Sequence, residues 1–170
     1  ALALAAQAKP MEPQAQGPQH DRPHQPAPGT ASLIQTTHMT QVLRVLYVED
    51  NRINAMLFEE ALRPYPEICL DVAEDGEAAL ALAKASEPDV LVLDAHLPGM
   101  TGFDVFDALR RDNPALIDKP AFMCSADAMP DDLARAKAAG FSGYWTKPID
   151  ILEVTTILRG LAAKRDNAHP

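Results

Sequence analysis

Five short runs of almost unbroken apolar residues, each followed by a stretch of helical periodicity, fill the chain beyond residue 40. They fall at 42–48, 68–73, 90–93, 121–124 and 141–146. A strand that is apolar at consecutive positions must be covered on both faces, and a parallel sheet with helices on either side does this. The intervening segments supply those helices. Ile53, Met56, Leu57 and Ala61 recur at helical spacing up to Pro64, and similar periods occupy 77–86, 103–111, 131–139 and 150–163. The pattern predicts an α/β domain of five strand–helix units over 41–163, followed by a short tail at 164–170. Sites in such open sheets form beyond the carboxyl ends of the strands.

The first 40 residues differ in kind. They hold six Pro, six Gln and no aromatic residue, and their two acids balance two bases. Such a segment cannot bury enough apolar surface to offset its ordering entropy, and reads as a flexible Pro/Gln-rich linker. His20, His24 and His38 have no regular metal-ligand spacing and belong to that composition. The whole net charge of -9 lies beyond it, where 22 acids face 13 bases. Phosphate contacts need the opposite balance, so no nucleic-acid partner is expected. Cys69 and Cys124 each sit inside an apolar run and read as buried small hydrophobes in a reducing, cytoplasmic setting. No apolar run is long enough to span a bilayer, so no direct membrane contact is expected of this segment.

The strand ends carry the chemistry. Glu49 and Asp50 follow the first strand, Asp94 the third, Ser125 the fourth and Lys147 the fifth. Read singly, Asp50 and Asn51 are helix caps, Asp94 ends a strand at a turn and Lys147 is a solvated lysine. Capping explains neither the lysine nor the restriction of all these groups to one sheet edge. Three converging carboxylates repel one another unless a cation intervenes, and a hard divalent ion with oxygen ligands meets that need. With Lys147 and Ser125 beside it, such a site can take up a phosphoryl group, with one carboxylate as nucleophile. Asp94, at the end of the central apolar strand and before the Pro98-Gly99 loop, is the candidate.

Residues 45–51, 91–102, 124–126 and 144–150, in that order, resemble the receiver domain of two-component response regulators. That resemblance implies a doubly wound, flavodoxin-like (βα)5 fold with strand order 2-1-3-4-5. It implies that Asp94 is the phosphoacceptor and that Glu49, Asp50, Asp94 and the backbone carbonyl of His96 surround Mg²⁺, Asp50 directly and Glu49 largely through water. Ser125 and Lys147 are then expected to hold the phosphoryl oxygens. Ser125 and Tyr144 form the switch, and Lys147-Pro148 is expected to be cis. The domain would promote its own phosphorylation and dephosphorylation. Expected partners are a histidine kinase domain or a histidine phosphotransfer protein, docking on the fourth helix, fifth strand and fifth helix.

His96 and Asp127 occupy the two positions that flank the hydrolytic water in that family, which leaves the phosphoryl lifetime open. His96 reads as a loop histidine contributing its carbonyl, with a catalytic role as the other reading. Trp145 is expected in the core. The form Glu49-Asp50-Asn51-Arg52-Ile53-Asn54 and the segment 147–150 resemble the C-terminal receivers of hybrid sensor histidine kinases. The Ala1 start and the linker agree with that context, with tethering to a membrane through an N-terminal sensor region. A stand-alone single-domain regulator and a phosphorylation-independent docking module are the alternatives. A flavin carrier is disfavoured because Glu49-Asp50 would repel a phosphate in the first loop. A haloacid-dehalogenase-type phosphatase is disfavoured because His96 stands where a second Asp is needed.

Overall fold

A computed structural model describes residues 41–127 and 129–167. The expected linker, with His20, His24 and His38, lies outside the described residues. Five parallel strands, β1 (Leu43–Val48), β2 (Ile68–Ala73), β3 (Val90–Asp94), β4 (Ala121–Ser125) and β5 (Gly143–Thr146), form one sheet in the order β2-β1-β3-β4-β5. Helices α1 (Arg52–Leu62), α2 (Gly76–Ser86), α3 (Gly102–Asp112), α4 (Pro130–Ala139) and α5 (Ile151–Asn167) follow the strands in turn. The α5 helix runs through Asn167, so the segment expected as a tail from 164 begins as helix. Its last turn carries Lys164 and Arg165, cations that suit a helix carboxyl end.

Strand alternation divides the core in two. Leu43, Val45 and Tyr47 of β1 pack with Phe58, Leu62, Val154 and Leu158 of α1 and α5. Leu46 and Val48 face the other way, with Ala79, Ala83, Phe106 and Leu109 of α2 and α3. Both faces are dry, which is why the strands are apolar at successive positions. Trp145 is buried as expected and stacks on Phe122 with ring centroids 4.5 Å apart.

One expectation is corrected, and the buried face of one expected helix is settled. Cys69 is exposed, because β2 is an edge strand and Cys69 points away from the face on which Ile68 packs. On α1 the sheet takes Ala55, Phe58 and Leu62, leaving Ile53, Met56 and Leu57 more than half exposed. Two apolar stripes compete on this helix, and Phe58 decides between them by tilting against Tyr47 at 4.3 Å.

Local hydrogen bonds set where each helix begins. Asn51 accepts from the N–H groups of Ile53 and Asn54 at 2.9 and 3.3 Å, turning the chain into α1 directly after Asp50. Thr101 and Asp104 form a reciprocal capping box at α3. At the opposite edge of the sheet, Asp89 accepts from the Arg44 N–H at 3.1 Å and pairs with Lys119 at 3.0 Å and with Arg165. This joins the last turn of α5 to the amino ends of β1 and β3.

Candidate functional site

Parallel pairing places the strand ends at one level. Val48 is level with Leu93, Asp94 with Cys124 and Ser125 with Thr146. The residues that follow therefore share the carboxyl edge of the sheet. Glu49, Asp50 and Asp94 each offer a carboxylate oxygen within 4.8 Å of the others. Glu49 and Asp94 are buried, and Asp50 is exposed.

Lys147 is the cation of this cluster. Its Nζ donates to Asp94 Oδ2 at 2.6 Å and lies 2.6 Å from Glu49 Oε2. The Lys147-Pro148 bond is cis, as expected, and the Lys147 N–H donates to the Ser125 carbonyl at 2.8 Å. Asp94 Oδ1 accepts from the His96 N–H at 3.2 Å. The loop after Asp94 is closed by a bridge between His96 and Thr101 and by a bond from the Gly102 N–H to the Ala95 carbonyl at 3.1 Å. Gly99 takes a φ of 78°, which suits a residue without Cβ. The backbone thus holds His96 two residues beyond Asp94 with its side chain exposed.

The electrostatics separate the two buried acids. Burial pushes the Asp94 carboxyl up, and the Lys147 ammonium and the His96 N–H only partly offset it, with the Glu49 charge adding to the rise. Burial acts on Glu49 in the same direction, but hydrogen bonds from Lys147, Tyr47 and Asn54 outweigh it, and its carboxyl falls below the usual range. For Lys147, burial favours the neutral amine, yet the bonds and charges of Asp94 and Glu49 raise it above the ordinary lysine value.

Ser125 is buried at the end of β4, with its Oγ accepting from the Asp127 N–H at 3.2 Å. Tyr144 is half-buried, and its hydroxyl donates to the Asp127 carbonyl at 2.7 Å. Hydrogen bonds thus run from Ser125 through Asp127 to Tyr144. Cys124, one residue before Ser125, is buried with its thiol pushed up by desolvation, and remains a core residue.

Two participants escaped the sequence reading. Tyr47 donates its hydroxyl to Glu49 Oε2 at 2.7 Å, and Asn54 Nδ2 donates to Glu49 Oε1 at 3.1 Å. Strand alternation puts residues 47 and 49 on one face, so Tyr47 had a usable signal. Asn54 acquires its role only through the path of α1 over the strand end.

The donor set is all oxygen, with three carboxylates, and fits a hard divalent cation of the Mg²⁺ type. A buried carboxylate, an adjacent lysine ammonium and a cluster of three carboxylates at the carboxyl edge of a β2-β1-β3-β4-β5 sheet are the arrangement of a receiver. The model of the response regulator receiver domain matches residues 45–159, and the chain belongs to that family. It is similar to the probable transcriptional regulatory protein TcrX of Mycobacterium tuberculosis, 40% identical over 121 residues, spanning 71% of this chain and 50% of that protein. It is also similar to the sensor histidine kinase AruS of Pseudomonas aeruginosa, 36% identical over 118 residues, 68% of this chain and 12% of that protein. A crystal structure of the Vibrio cholerae chemotaxis protein CheY4 superposes with a TM-score of 0.63 at 28% identity, covering 69% of this chain and 97% of that one. The chain is a receiver domain of two-component signalling, and it spans half the length of TcrX. Receiver domains act with histidine kinases or histidine phosphotransfer proteins. Among the described residues no helix is long and apolar enough to cross a membrane.

Proposed function

We propose that Asp94 is the phosphoacceptor of this receiver and takes its phosphoryl group from a phosphohistidine, or from a small acyl phosphate, in a Mg²⁺-dependent reaction. The observation that carries this reading is Lys147, whose ammonium touches Asp94 and Glu49 at 2.6 Å each. An Asp94 oxygen attacks phosphorus as the P–N bond to the donor imidazole breaks, and the imidazole nitrogen leaves with the electron pair. Lys147 is placed to follow the phosphoryl oxygens as their charge develops, and Ser125 Oγ to donate to one of them. Positioning and charge neutralisation are the main demands of phosphoryl transfer. Asp50, Asp94 and the His96 carbonyl would hold Mg²⁺, with Glu49 acting through water. When bound, the ion neutralises the anionic cluster and the incoming phosphoryl oxygens.

The donor side is supported by exposed apolar residues around the site. Ile53, Met56 and Leu57 on α1 and Ile151 and Leu152 at the start of α5 are all exposed. A cavity of about 190 Å³ between these helices is lined by Leu57, Ile149, Ile151 and Lys147 itself. An apolar rim touching the phosphoacceptor's lysine suits the helical surface of a histidine-bearing partner. The β5 side, with Tyr144, is assigned the phosphorylation-dependent contact. We place the domain on the cytoplasmic side, free of nucleic-acid contact, as the C-terminal receiver of a hybrid histidine kinase joined through the Pro/Gln-rich linker at 1–40. Its likeness to AruS supports that placement.

Incubation with labelled acetyl phosphate and Mg²⁺, on wild type and Asp94→Asn, tests the assignment. Acid-labile, hydroxylamine-sensitive incorporation should appear in the wild type and vanish in the variant. Undiminished labelling of Asp94→Asn overturns it.

A further inference from the structure

Glu49 is 1% exposed and is held by more donors than any other carboxylate of the site. Oε2 receives the Tyr47 hydroxyl at 2.7 Å and Lys147 Nζ at 2.6 Å. Oε1 receives Asn54 Nδ2 at 3.1 Å and the Asn51 N–H at 3.3 Å. A carboxylate offers about four lone-pair positions, and these four donors fill them. Asp50 is exposed, and Asp94 accepts from Lys147 on one oxygen and the His96 N–H on the other. Of the four donors on Glu49, the Tyr47 hydroxyl is the most firmly placed. Its ring is fully buried against Phe58, and breaking its bond leaves a buried hydroxyl unpaired.

We propose that Tyr47 and Asn54 are positioning residues that hold Glu49 out of direct coordination and thereby set which divalent cation the site prefers. The inference rests on the metal site of the preceding section and adds the determinant of its selectivity. A cation can reach a Glu49 oxygen only by displacing a donor from it. With Glu49 held back, Asp50 and Asp94 are the side chains left to ligate directly. Few protein carboxylates and a water-rich shell suit Mg²⁺, which dehydrates reluctantly. Ca²⁺ takes six to eight oxygens and gains more from an added carboxylate. Removing the phenol hydroxyl releases one lone pair on Oε2 without removing the ring that packs on Phe58. Removing the Asn54 amide does the same for Oε1, from a half-buried position on α1.

The test is separate titration of the full chain with Mg²⁺ and with Ca²⁺ by calorimetry, with Trp145 fluorescence as a second reporter. Wild type, Tyr47→Phe, Asn54→Ala and Tyr47→Phe/Glu49→Gln are compared. Tyr47→Phe should tighten Ca²⁺ binding about tenfold and change Mg²⁺ binding less than about threefold, since ligand charge count tunes Ca²⁺ affinity over decades. Adding Glu49→Gln should abolish the gain. Equal shifts for both ions, no shift, or a gain that survives Glu49→Gln overturns the inference. If a melt shows Tyr47→Phe to be unfolded, Asn54→Ala carries the same expectation and the same refutation. A wild type that binds neither ion overturns the metal reading and this inference together. Mg²⁺ binding with unshifted selectivity in the variants overturns the inference alone.

Discussion

Lys147 and Asp94 stand 53 positions apart in sequence and 2.6 Å apart in space, although their strands are not neighbours in the sheet. The strand β4 lies between β3 and β5, and the lysine side chain spans its end to reach the carboxylate. The contact depends on the carboxyl ends of three parallel strands lying level. A shift of one strand by a residue would turn its end group to the other face.

The two buried acids should respond oppositely to neutralisation. Asp94 titrates above its ordinary value in the folded chain, so its charged form opposes folding at neutral pH, and that cost is relieved as pH falls through the raised value. Glu49 titrates below its ordinary value, so its stabilisation is present above the unfolded pKa and is lost as pH falls through the lowered one. In chelator-treated protein at about pH 7, Asp94→Asn should therefore raise Tm and Glu49→Gln should lower it, with both differences shrinking towards about pH 3. Thermal melts across that range decide it, and changes of the same sign contradict the assignment.

Gly102 and Gly160 should separate a positional constraint from helix propensity. A Cβ on Gly102 would meet the Asp94 carbonyl and come within 3.0 Å of Met123 Sδ, whereas one on Gly160 meets nothing within 4 Å. Gly102→Ala should cost about 1–3 kcal/mol and slow labelling of Asp94, because the strand end must shift. Gly160→Ala should gain about 0.5–1 kcal/mol from the exposed middle of α5. Urea unfolding of both variants checks the contrast.

The Ser125–Asp127–Tyr144 connection should be separable from the chemistry. Ser125→Ala should still be labelled at Asp94 by an acyl phosphate. Loss of the hydroxyl removes the means by which a phosphoryl group draws Ser125 and loosens the contact that Tyr144 makes with Asp127. The expected result is that the Tyr144 ring signals in NMR no longer move on phosphorylation. A full Tyr144 response in this variant would route the signal through the loop that carries His96.

The apolar rim should matter for one donor and not for another. Leu57→Asp places a charge on an exposed α1 position at the cavity beside Lys147. Transfer from a phosphorylated histidine domain should fall about tenfold or more, as for an interface hot spot, while labelling by acetyl phosphate stays unchanged. Equal loss with both donors would place the defect in the site itself.

Much of this was legible without coordinates. Near-continuous apolar strands demand cover on two faces, which specifies a parallel α/β sheet, and the polar groups then fall where each strand stops. Glu49, Asp50, Asp94, Ser125 and Lys147 could be read as one set because each is local to a strand end. The same periodicity could not choose between two apolar stripes on α1, since both obey helical spacing. Only the fit of Phe58 against Tyr47 selected the buried one and left Ile53, Met56 and Leu57 on the surface. Nor did the sequence show that β2 would leave Cys69 exposed, since an edge strand is defined by the order of assembly. The four donors around Glu49 come from β1, the turn into α1, α1 itself and the loop after β5. Their convergence was decided by tertiary structure, because hydrogen bonds act over about 3 Å and chain position sets no such distance across elements.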